Sequence, residues 1–357
     1  MSEASNTVHN SLRQARDFIK HQNGIVAPLP LSEEELNPEL QDDLSLQAFP
    51  LESTDSCYRV PYSFPDDAEE SEFRFFEDGK QRTVQIGYIP TEIGTHQIIL
   101  PVHYFVIGAV ILKREQKELG LWRTPIIRKG VLIEKSLVPD QSILASYEHS
   151  GLEVVDTEGS GGDYYALKRK ALQKAKDLRL RAEEQLIALW REDEFSGNDF
   201  LVVDGTLMNL RDEDSIRRCI GVSKSFGSRY FELGPHNRIM TMQEFERSWT
   251  FRFHDPEGES RDQRMGSRER LSWYLRLRKR PNTDPEFGLV RVEISKHYFK
   301  EAPVYADRFS KSLLSERLPT SYPAQRWHNH LYPISSCENY LSSILPSIST
   351  INASMKG

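Results

Sequence analysis

The spacing of hydrophobic and polar positions changes along the chain, and the change outlines a predicted fold. Between residues 163 and 191, apolar side chains recur every three or four positions, which is typical of an amphipathic helix. The opposite face of this segment carries lysines and arginines, so we predict one helix of about 30 residues. The predicted buried face consists of Leu167, Ala171, Leu178, Ala182, Leu186 and Leu189.

Short apolar runs on both sides of this helix predict β-strands. The runs before the helix are FRFFEDGK (73–80), TVQIGYI (83–89) and YFVIGAVILKR (104–114). We expect the first two to form a hairpin that opens a sheet, because Asp-Gly commonly ends a strand. The runs after the helix are FLVVDG (200–205), CIGVSKSF (219–226), SWTFRFHD (248–255), SWYLRLRK (272–279) and GLVRVEIS (288–295).

The two ends of the chain have different patterns. Residues 10–21 predict a short amphipathic helix, whereas residues 33–72 are acidic and rich in Pro and Ser, which predicts a loosely ordered arm. The segment YPISSCENYLSSIL (332–345) predicts a final helix with Ser335 or Ser336 as its N-cap. Strands, a long helix, more strands and a last helix indicate a mixed α/β arrangement on one sheet.

Composition narrows the class of protein. Of 357 residues, 38% are hydrophobic and 28% charged, which is typical of a globular protein with a real core. The net charge of −7 argues against a protein that coats nucleic acid nonspecifically. It still allows a nuclease, whose basic residues can line one channel beneath an acidic outer surface.

The chain has three cysteines, Cys57, Cys219 and Cys337. Because their number is odd and none forms a CxxC pair, neither a zinc site nor a disulfide framework is indicated. We expect a cytoplasmic protein. The N-terminus has no apolar core of a secretory signal. The longest apolar run, YFVIGAVIL, is far shorter than the roughly 20 residues of a membrane span, so no membrane partner is expected.

Two elements combine an apolar strand with Asp-Gly, one at Asp78 and one at Asp204. The simple interpretation of each is a turn. The alternative is a pair of metal ligands on neighbouring parallel strands, as in a ribonuclease-H-like sheet. Phosphodiester cleavage by two metals needs oxygen ligands that place two cations roughly 3.5 to 4 Å apart. Carboxylates with Mg²⁺ or Mn²⁺ meet that need, and a following glycine allows close approach.

The order of these motifs resembles the NurA nucleases, the partners of the HerA ATPase in DNA end processing. The segments that carry the resemblance are EDGK (77–80), DGTL (204–207), GVSK (221–224) and YPISSCE (332–338). The resemblance implies an RNase H-like (PIWI-like) α/β fold, with a mixed sheet flanked by helices and a long helix before the second acidic strand. It divides the chain into an N-terminal helix and acidic arm (1–72), a nuclease domain (73–345) and a C-terminal tail (346–357).

The resemblance also implies a function, partners and site residues. It predicts a metal-dependent DNA nuclease that works by a two-metal mechanism with two Mn²⁺ or Mg²⁺ ions. The expected partners are DNA, a hexameric HerA-like ATPase and a second copy of the chain in a homodimer, acting in DNA end resection or phage defence. The implied metal ligands are Asp78, Glu183, Asp204 and Glu338. Lys224 is predicted to hold a substrate phosphate.

Some assignments stay open in the sequence. Glu183 borders the apolar face formed by Ile187 and Trp190, which favours it over Glu184. Lys80 stands where the family has a small hydroxyl residue, and Glu338 stands where many members have histidine. His328 and His330 form an HxH pair that could replace Glu338 at the site, although packing or substrate contact is the simpler interpretation.

Basic stretches interleave with aromatic residues and could line a groove for a nucleic-acid backbone, or be solvated faces. They are KRKALQKAKDLRLR (168–181), the predicted connecting loop RDQRMGSRER (261–270) and LRLRKR (275–280). No Walker-type phosphate loop is present, so a motor would be a separate chain. Two rival hypotheses remain: a PIWI-like binding or assembly subunit whose acidic site has decayed, and an unrelated structural protein in which Asp78 and Asp204 lie far apart.

Overall fold

A computed structural model describes residues 3–29, 48–62, 71–93, 95–158, 163–194, 197–210, 213–224, 230–254, 269–279, 284–318 and 327–356. Much of the predicted acidic arm, the centre of the EGSGGD break (158–163) and most of the basic RDQRMGSRER segment (261–270) lie outside these residues. The α-helices are α1 (Glu3–His21), α2 (Gln141–His149), α3 (Tyr164–Asp193), α4 (Glu213–Ile216), α5 (Leu233–Met240), α6 (Ala302–Ser315), α7 (Tyr332–Ile344) and α8 (Ile348–Lys356).

The strands found in these described residues belong to one 14-stranded mixed sheet. They are β1 (Ile25–Leu29), β2 (Ala48–Pro50), β3 (Tyr58–Arg59), β4 (Phe75–Ile93), β5 (His96–Glu115), β6 (Glu118–Leu121), β7 (Ile126–Ile133), β8 (Val154–Asp156), β9 (Leu201–Asp204), β10 (Cys219–Ser223), β11 (Glu246–Arg247), β12 (Phe251–His254), β13 (Glu269–Arg276) and β14 (Leu289–Ser295). The main path runs β2-β12-β13-β14-β10-β9-β4-β5-β7-β8. In its centre β9 lies parallel to both β4 and β10, whereas β4 and β5 are antiparallel. The predicted α/β class with a mixed sheet flanked by helices is confirmed.

The predicted hairpin turn at EDGK is wrong. From Phe75 onward, FRFFEDGK and TVQIGYI lie in one strand, β4, and Asp78 and Gly79 pair with Val110 and Ala109 of β5 within a long ladder. The hydrogen bonds of that ladder, together with those to β9, outweigh the local preference of Asp-Gly for a turn. Asp78 is therefore held in the interior of the sheet instead of at an exposed turn.

The long predicted helix is confirmed as α3, which packs on β5, β4 and β7. The side chain of Asp163 caps its first turn by accepting a hydrogen bond from the backbone N–H of Ala166 (2.8 Å). Most of its predicted apolar face is buried, and Ala175, Ile187 and Trp190 extend that face, whereas Leu189 is only half-buried. Glu183 is the one charged side chain on the buried face of this helix.

The last predicted helix is confirmed as α7, but its N-cap is wrong. The helix begins at Tyr332, so the N-cap position is Leu331, which makes no side-chain cap. Pro333 in the first turn lacks an N–H and fits this position well, which starts the helix before the serines. The Ser336 hydroxyl instead donates to the carbonyl of Tyr332 (2.9 Å). Helix α7 packs on β4 and β5, on the face of the sheet opposite α3.

The two ends of the chain pack on each other. Helix α1 begins earlier than predicted and buries Leu12 and Phe18 in the main core, and α8 buries Ile351 and Met355 in the same cluster. Helices α1 and α8 are in contact, and both contact β1. The division at residues 72 and 345 stays a prediction. Within the residues that the structure describes, no helix has the length and apolar character needed to span a membrane.

Candidate functional site

The parallel pairing of β4 and β9 makes Asp78 and Asp204 neighbours. Phe76 pairs with Val202 and Glu77 with Val203, so the next positions along the two strands are the two aspartates. Adjacent strands lie roughly 5 Å apart, and both aspartates line one cleft of about 350 Å³. Burial raises the pKa of Asp78 well above its usual range, and the nearby Asp204 carboxylate raises it further. The hypothesis of two unrelated, distant turns does not fit this geometry.

Lys224 reaches the same cleft from the next strand. Strand β10 is parallel to β9, with Val222 opposite Asp204, and Lys224 follows directly after its end. The Nζ of Lys224 lies 2.8 Å from Oδ1 of Asp204. Burial alone would lower the pKa of Lys224, but the carboxylates of Asp204 and Asp78 outweigh it and raise the pKa above its ordinary value. Lys224 is therefore a protonated cation held among carboxylates.

Glu183 approaches this edge of the sheet from the opposite face, on α3. The residue is 5% exposed, and its side chain lies against Gly79, where a Cβ atom would stand 1.8 Å from Oε1 of Glu183. The glycine after Asp78 therefore makes room for this carboxylate. Burial raises the pKa of Glu183 to about 7, although the ion pair with Arg179 works against the shift. Glu184, the other sequence candidate, is only half-buried.

Gly79→Ala is expected to destabilise the protein through Glu183. The new methyl group would lie 1.8, 2.6 and 2.8 Å from Oε1, Cδ and Cγ of Glu183, so that side chain must leave its position, at a cost of about 1–3 kcal/mol. In a Glu183→Ala background those atoms are gone and the penalty should largely disappear. Urea unfolding of the two single variants and the double variant measures this coupling.

Gly120→Ala is the matched control for this cycle, because a Cβ atom at Gly120 in β6 meets nothing within 4 Å. It should change the unfolding free energy by less than about 0.5 kcal/mol. An equal penalty for Gly79→Ala with and without Glu183 would show that the two residues do not touch.

Glu338 lies on the α7 side of the cleft, where it forms an ion pair with Lys80. Nζ of Lys80 lies 3.2 Å from Oε1 of Glu338 and donates to the Ser342 hydroxyl (2.8 Å). Burial would raise the pKa of Glu338, but the Lys80 ammonium outweighs burial and lowers it. Lys80 thus places a positive charge where the NurA nucleases, which the sequence resembles, usually have a small hydroxyl residue.

The two histidines of the HxH pair have different surroundings. His330 lines the cleft, and burial together with nearby Lys224 lowers its pKa. His328 stacks on Phe287 with ring centroids 4.1 Å apart, and its Nδ1 accepts a hydrogen bond from the backbone N–H of Gly288 (3.0 Å). Of the two, His330 is the one placed to act beside Glu338, whereas His328 has a packing role.

Glu77 is a buried carboxyl that the sequence analysis missed. It is 0% exposed, and among the described residues neither of its oxygens has a hydrogen-bond partner. Burial raises its pKa well above the usual range, and the adjacent carboxyls of Glu183 and Asp78 add to the shift. The only sequence signal was an acidic residue directly before Asp78 in an apolar strand.

A second missed residue, Glu293 of β14, fixes the loop after Asp204. Its buried carboxylate accepts hydrogen bonds from the Thr206 hydroxyl (2.8 Å) and from the backbone N–H of Leu207 (2.8 Å). The guanidinium of Arg291 donates to the same carboxylate (2.7 Å). This network ties the DGTL segment to the neighbouring strand, which limits the positions that Asp204 can take.

The donor set fits a divalent cation in its chemistry. Asp78, Asp204 and Glu183 offer carboxylate oxygens, the ligands that Mg²⁺ and Mn²⁺ prefer. The raised pKa values of Asp78 and Glu183 reflect burial and then nearby like charges, and a bound cation would stabilise the ionised carboxylates. Over the described part of the chain no three His, Cys, Asp or Glu side chains form a preassembled metal group. Lys224 and Arg179 pair with two of the carboxylates instead.

The comparisons with known proteins do not assign the chain to a family. No family model matches it, and no curated protein matches it significantly. The function of the cleft is therefore argued from its own residues.

Proposed function

We propose that the protein is a metal-dependent DNA nuclease of the NurA kind, with an RNase H-like arrangement of its acidic residues. The observation that carries the proposal is the placement of Asp78 and Asp204 on adjacent parallel strands, with the buried carboxyl of Glu183 against Gly79, the residue after Asp78. The charges of Asp204 and Glu183 both raise the pKa of Asp78, so three carboxylates from separate parts of the chain lie near one another. Burial of the Asp78 and Glu183 carboxyls costs stability, which a functional role would account for.

In this proposal Asp78, Asp204 and Glu183 hold two Mn²⁺ or Mg²⁺ ions, and Glu338 is a further candidate ligand. When bound, the ions activate a water and stabilise the leaving oxygen of a phosphodiester. Lys224 loses Asp204 as its partner once that carboxylate holds a cation. Its ammonium lies beside Asp204 in the cleft and can then bind a substrate phosphate as a point charge.

The partners belong to the same proposal. Three sequence motifs that resemble NurA proteins support the proposal. They are the two Asp-Gly elements, GVSK (221–224) at the end of β10, and the Tyr-Pro pair (332–333) that starts α7. We propose that the chain acts as a homodimer on DNA beside a hexameric HerA-like ATPase, in end resection or phage defence.

The direct test is a cleavage assay with linear and circular DNA in Mn²⁺, in Mg²⁺ and in EDTA, with and without a HerA-like ATPase. We expect cleavage in the metal-containing reactions and none in EDTA, because the carboxylates supply binding but no chemistry of their own. Intact DNA in every metal condition, with folded protein that still binds DNA, would reject the nuclease.

One observation favours a second candidate, a PIWI-like nucleic-acid-binding or assembly subunit without activity. Lys80 and Lys224 each neutralise a carboxylate of the cleft, and Lys80 departs from the pattern of the resembling family. In this candidate the ammonium groups take the place of metal ions. DNA binding that is unchanged by EDTA, together with absent cleavage, is the result that distinguishes it.

A further inference from the structure

A second large pocket lies at the other end of the central strands, away from the acidic cleft. Its volume is about 720 Å³. Phe200, just before β9, lines this pocket, whereas Asp204 ends the same strand in the acidic cleft. Four residues of strand separate the two by roughly 13 Å. The pocket and the cleft are therefore distinct sites at opposite ends of the central strands.

The pocket is strongly basic. Arg191, Arg217, Arg218 and Arg308 line it, against one acidic residue, Asp214. This concentration of positive charge stands out in a chain with a net charge of −7. A basic pocket in an acidic protein attracts an anionic ligand selectively, because its field differs from that of the surrounding surface.

Two of these guanidinium groups have no carboxylate partner among the described residues. Arg218 donates to the carbonyls of Gly197 (2.6 Å) and Glu194 (2.6 Å) and lies over the ring of Trp190. Arg217 donates to Nε2 of His297 (2.7 Å). Contacts to neutral groups hold both arginines in place, and no carboxylate of the described residues pairs with either charge, so both can bind an incoming anion.

An aromatic wall faces these arginines. Tyr298 and Tyr305 lie with ring centroids 4.4 Å apart, and both line the pocket and are half-buried. Phe200 continues the wall, with its ring centroid 6.2 Å from that of Tyr298. Arginines beside tyrosine rings suit a ligand that carries both a phosphate and a flat aromatic ring. The phosphate can bind the arginines, and the face of the aromatic ring can stack on the tyrosines.

We propose that this pocket binds a nucleotide, with the phosphate on Arg217 and Arg218 and the base against Tyr298 and Tyr305. The ligand is a free mononucleotide or the phosphorylated end of a nucleic-acid strand, which present the same chemistry. The site goes beyond the proposed nuclease and does not depend on it, because it shares no residue with the acidic cleft.

Isothermal titration of the full chain tests this site. The titrants are thymidine monophosphate, thymidine and inorganic phosphate, in EDTA and in an Asp204→Ala background so that the acidic cleft contributes nothing. We expect the nucleotide to bind with a dissociation constant below about 1 mM and more tightly than thymidine or phosphate. Arg217→Gln should weaken its binding at least about tenfold, because a charge-assisted contact is lost.

Two further variants separate the parts of the pocket. Tyr305→Leu should weaken binding of the nucleotide but not of phosphate. Arg13→Gln, an exposed arginine on α1, is the control and should change nothing. Thermal unfolding checks that each variant is folded, and Arg217 is itself exposed, so its replacement should not disturb the core.

Equal binding by the Arg217→Gln and wild-type proteins, or equal binding of nucleotide and phosphate, would overturn the proposal. Tighter binding of a polyglutamate peptide than of the nucleotide would overturn it as well. A terminally phosphorylated hexanucleotide that matches the mononucleotide identifies a strand end as the source, and binding of the mononucleotide alone identifies a free nucleotide. Either of these two results supports the site.

Discussion

Asp204→Asn is expected to lower metal-dependent cleavage of linear DNA by at least about 10²–10³-fold, since a catalytic metal contributes several kcal/mol to the transition state. Asparagine keeps the shape of the side chain but removes the charge that holds a divalent cation. The carboxylate of Asp204 also pairs with Lys224 at 2.8 Å, so the variant leaves that ammonium near Asp78 without its main partner. Initial rates over a series of Mn²⁺ concentrations measure both the loss and any weaker metal affinity.

Asp199→Asn is the matched control, because Asp199 lies two residues before the start of β9, away from the cleft, and pairs with Arg74 at 3.8 Å. It should leave the cleavage rate within about twofold of the wild-type rate, since this long, partly exposed ion pair is distant from the cleft and contributes little. DNA binding should persist in both variants. Equal activity of wild type and Asp204→Asn would mean that Asp204 is not a metal ligand, and the proposed mechanism would fail.

Glu183→Gln and Glu184→Gln should differ sharply in activity, although they are adjacent changes of the same kind. Glu183 is buried against Gly79 at the sheet edge, and we expect its replacement to lower cleavage by about 10²-fold or more through lost metal coordination. Glu184 is half-buried on the same helix, and its replacement should leave cleavage nearly unchanged. Single-turnover cleavage with saturating protein separates this effect from any change in DNA affinity.

Glutamine at position 183 removes a buried charge whose pKa is raised to about 7, so the variant should unfold no more easily than the wild type at neutral pH. Loss of cleavage with unchanged thermal stability would therefore assign Glu183 to the chemistry. The reverse pattern, with Glu184→Gln inactive and Glu183→Gln active, would exclude Glu183 as a ligand. That result would also mean that the contact between Glu183 and Gly79 serves only to stabilise the fold.

Local pattern was enough for the elements whose periodicity is strong. The long helix α3 and the strands β9, β10 and β14 follow from apolar spacing, because each buries one face or both faces against the same core. The turn at EDGK and the serine N-cap of α7 were wrong for one reason. Both rested on short-range preferences of a few residues, and the ladder with β5 and the proline at the start of α7 override those preferences.

Some residues of the candidate site could be named from the sequence, and others could be found only in the structure. Asp78 and Asp204 could be named from sequence because each ends an apolar run, and Glu183 because it borders an apolar helix face. Glu77 and Glu293 could not be named, because an isolated glutamate in a strand has no pattern until its neighbours in space are known. Their importance follows from burial in this structure, where Glu293 anchors Thr206 and Glu77 adds a third buried carboxyl beside Asp78 and Glu183.

The sequence by itself determined the α/β class, the long helix and the residue types available for the acidic cleft, since hydrophobic periodicity and local chemistry are properties of neighbouring residues in the chain. Only the tertiary structure decided which of these residues meet. The parallel register of β4 and β9 places Asp78 beside Asp204, and the missing side chain of Gly79 admits Glu183. The basic pocket at the other end of the central strands also depends on the tertiary structure. Its lining residues come from α3, from the start of β10 and from α6, which are far apart in sequence.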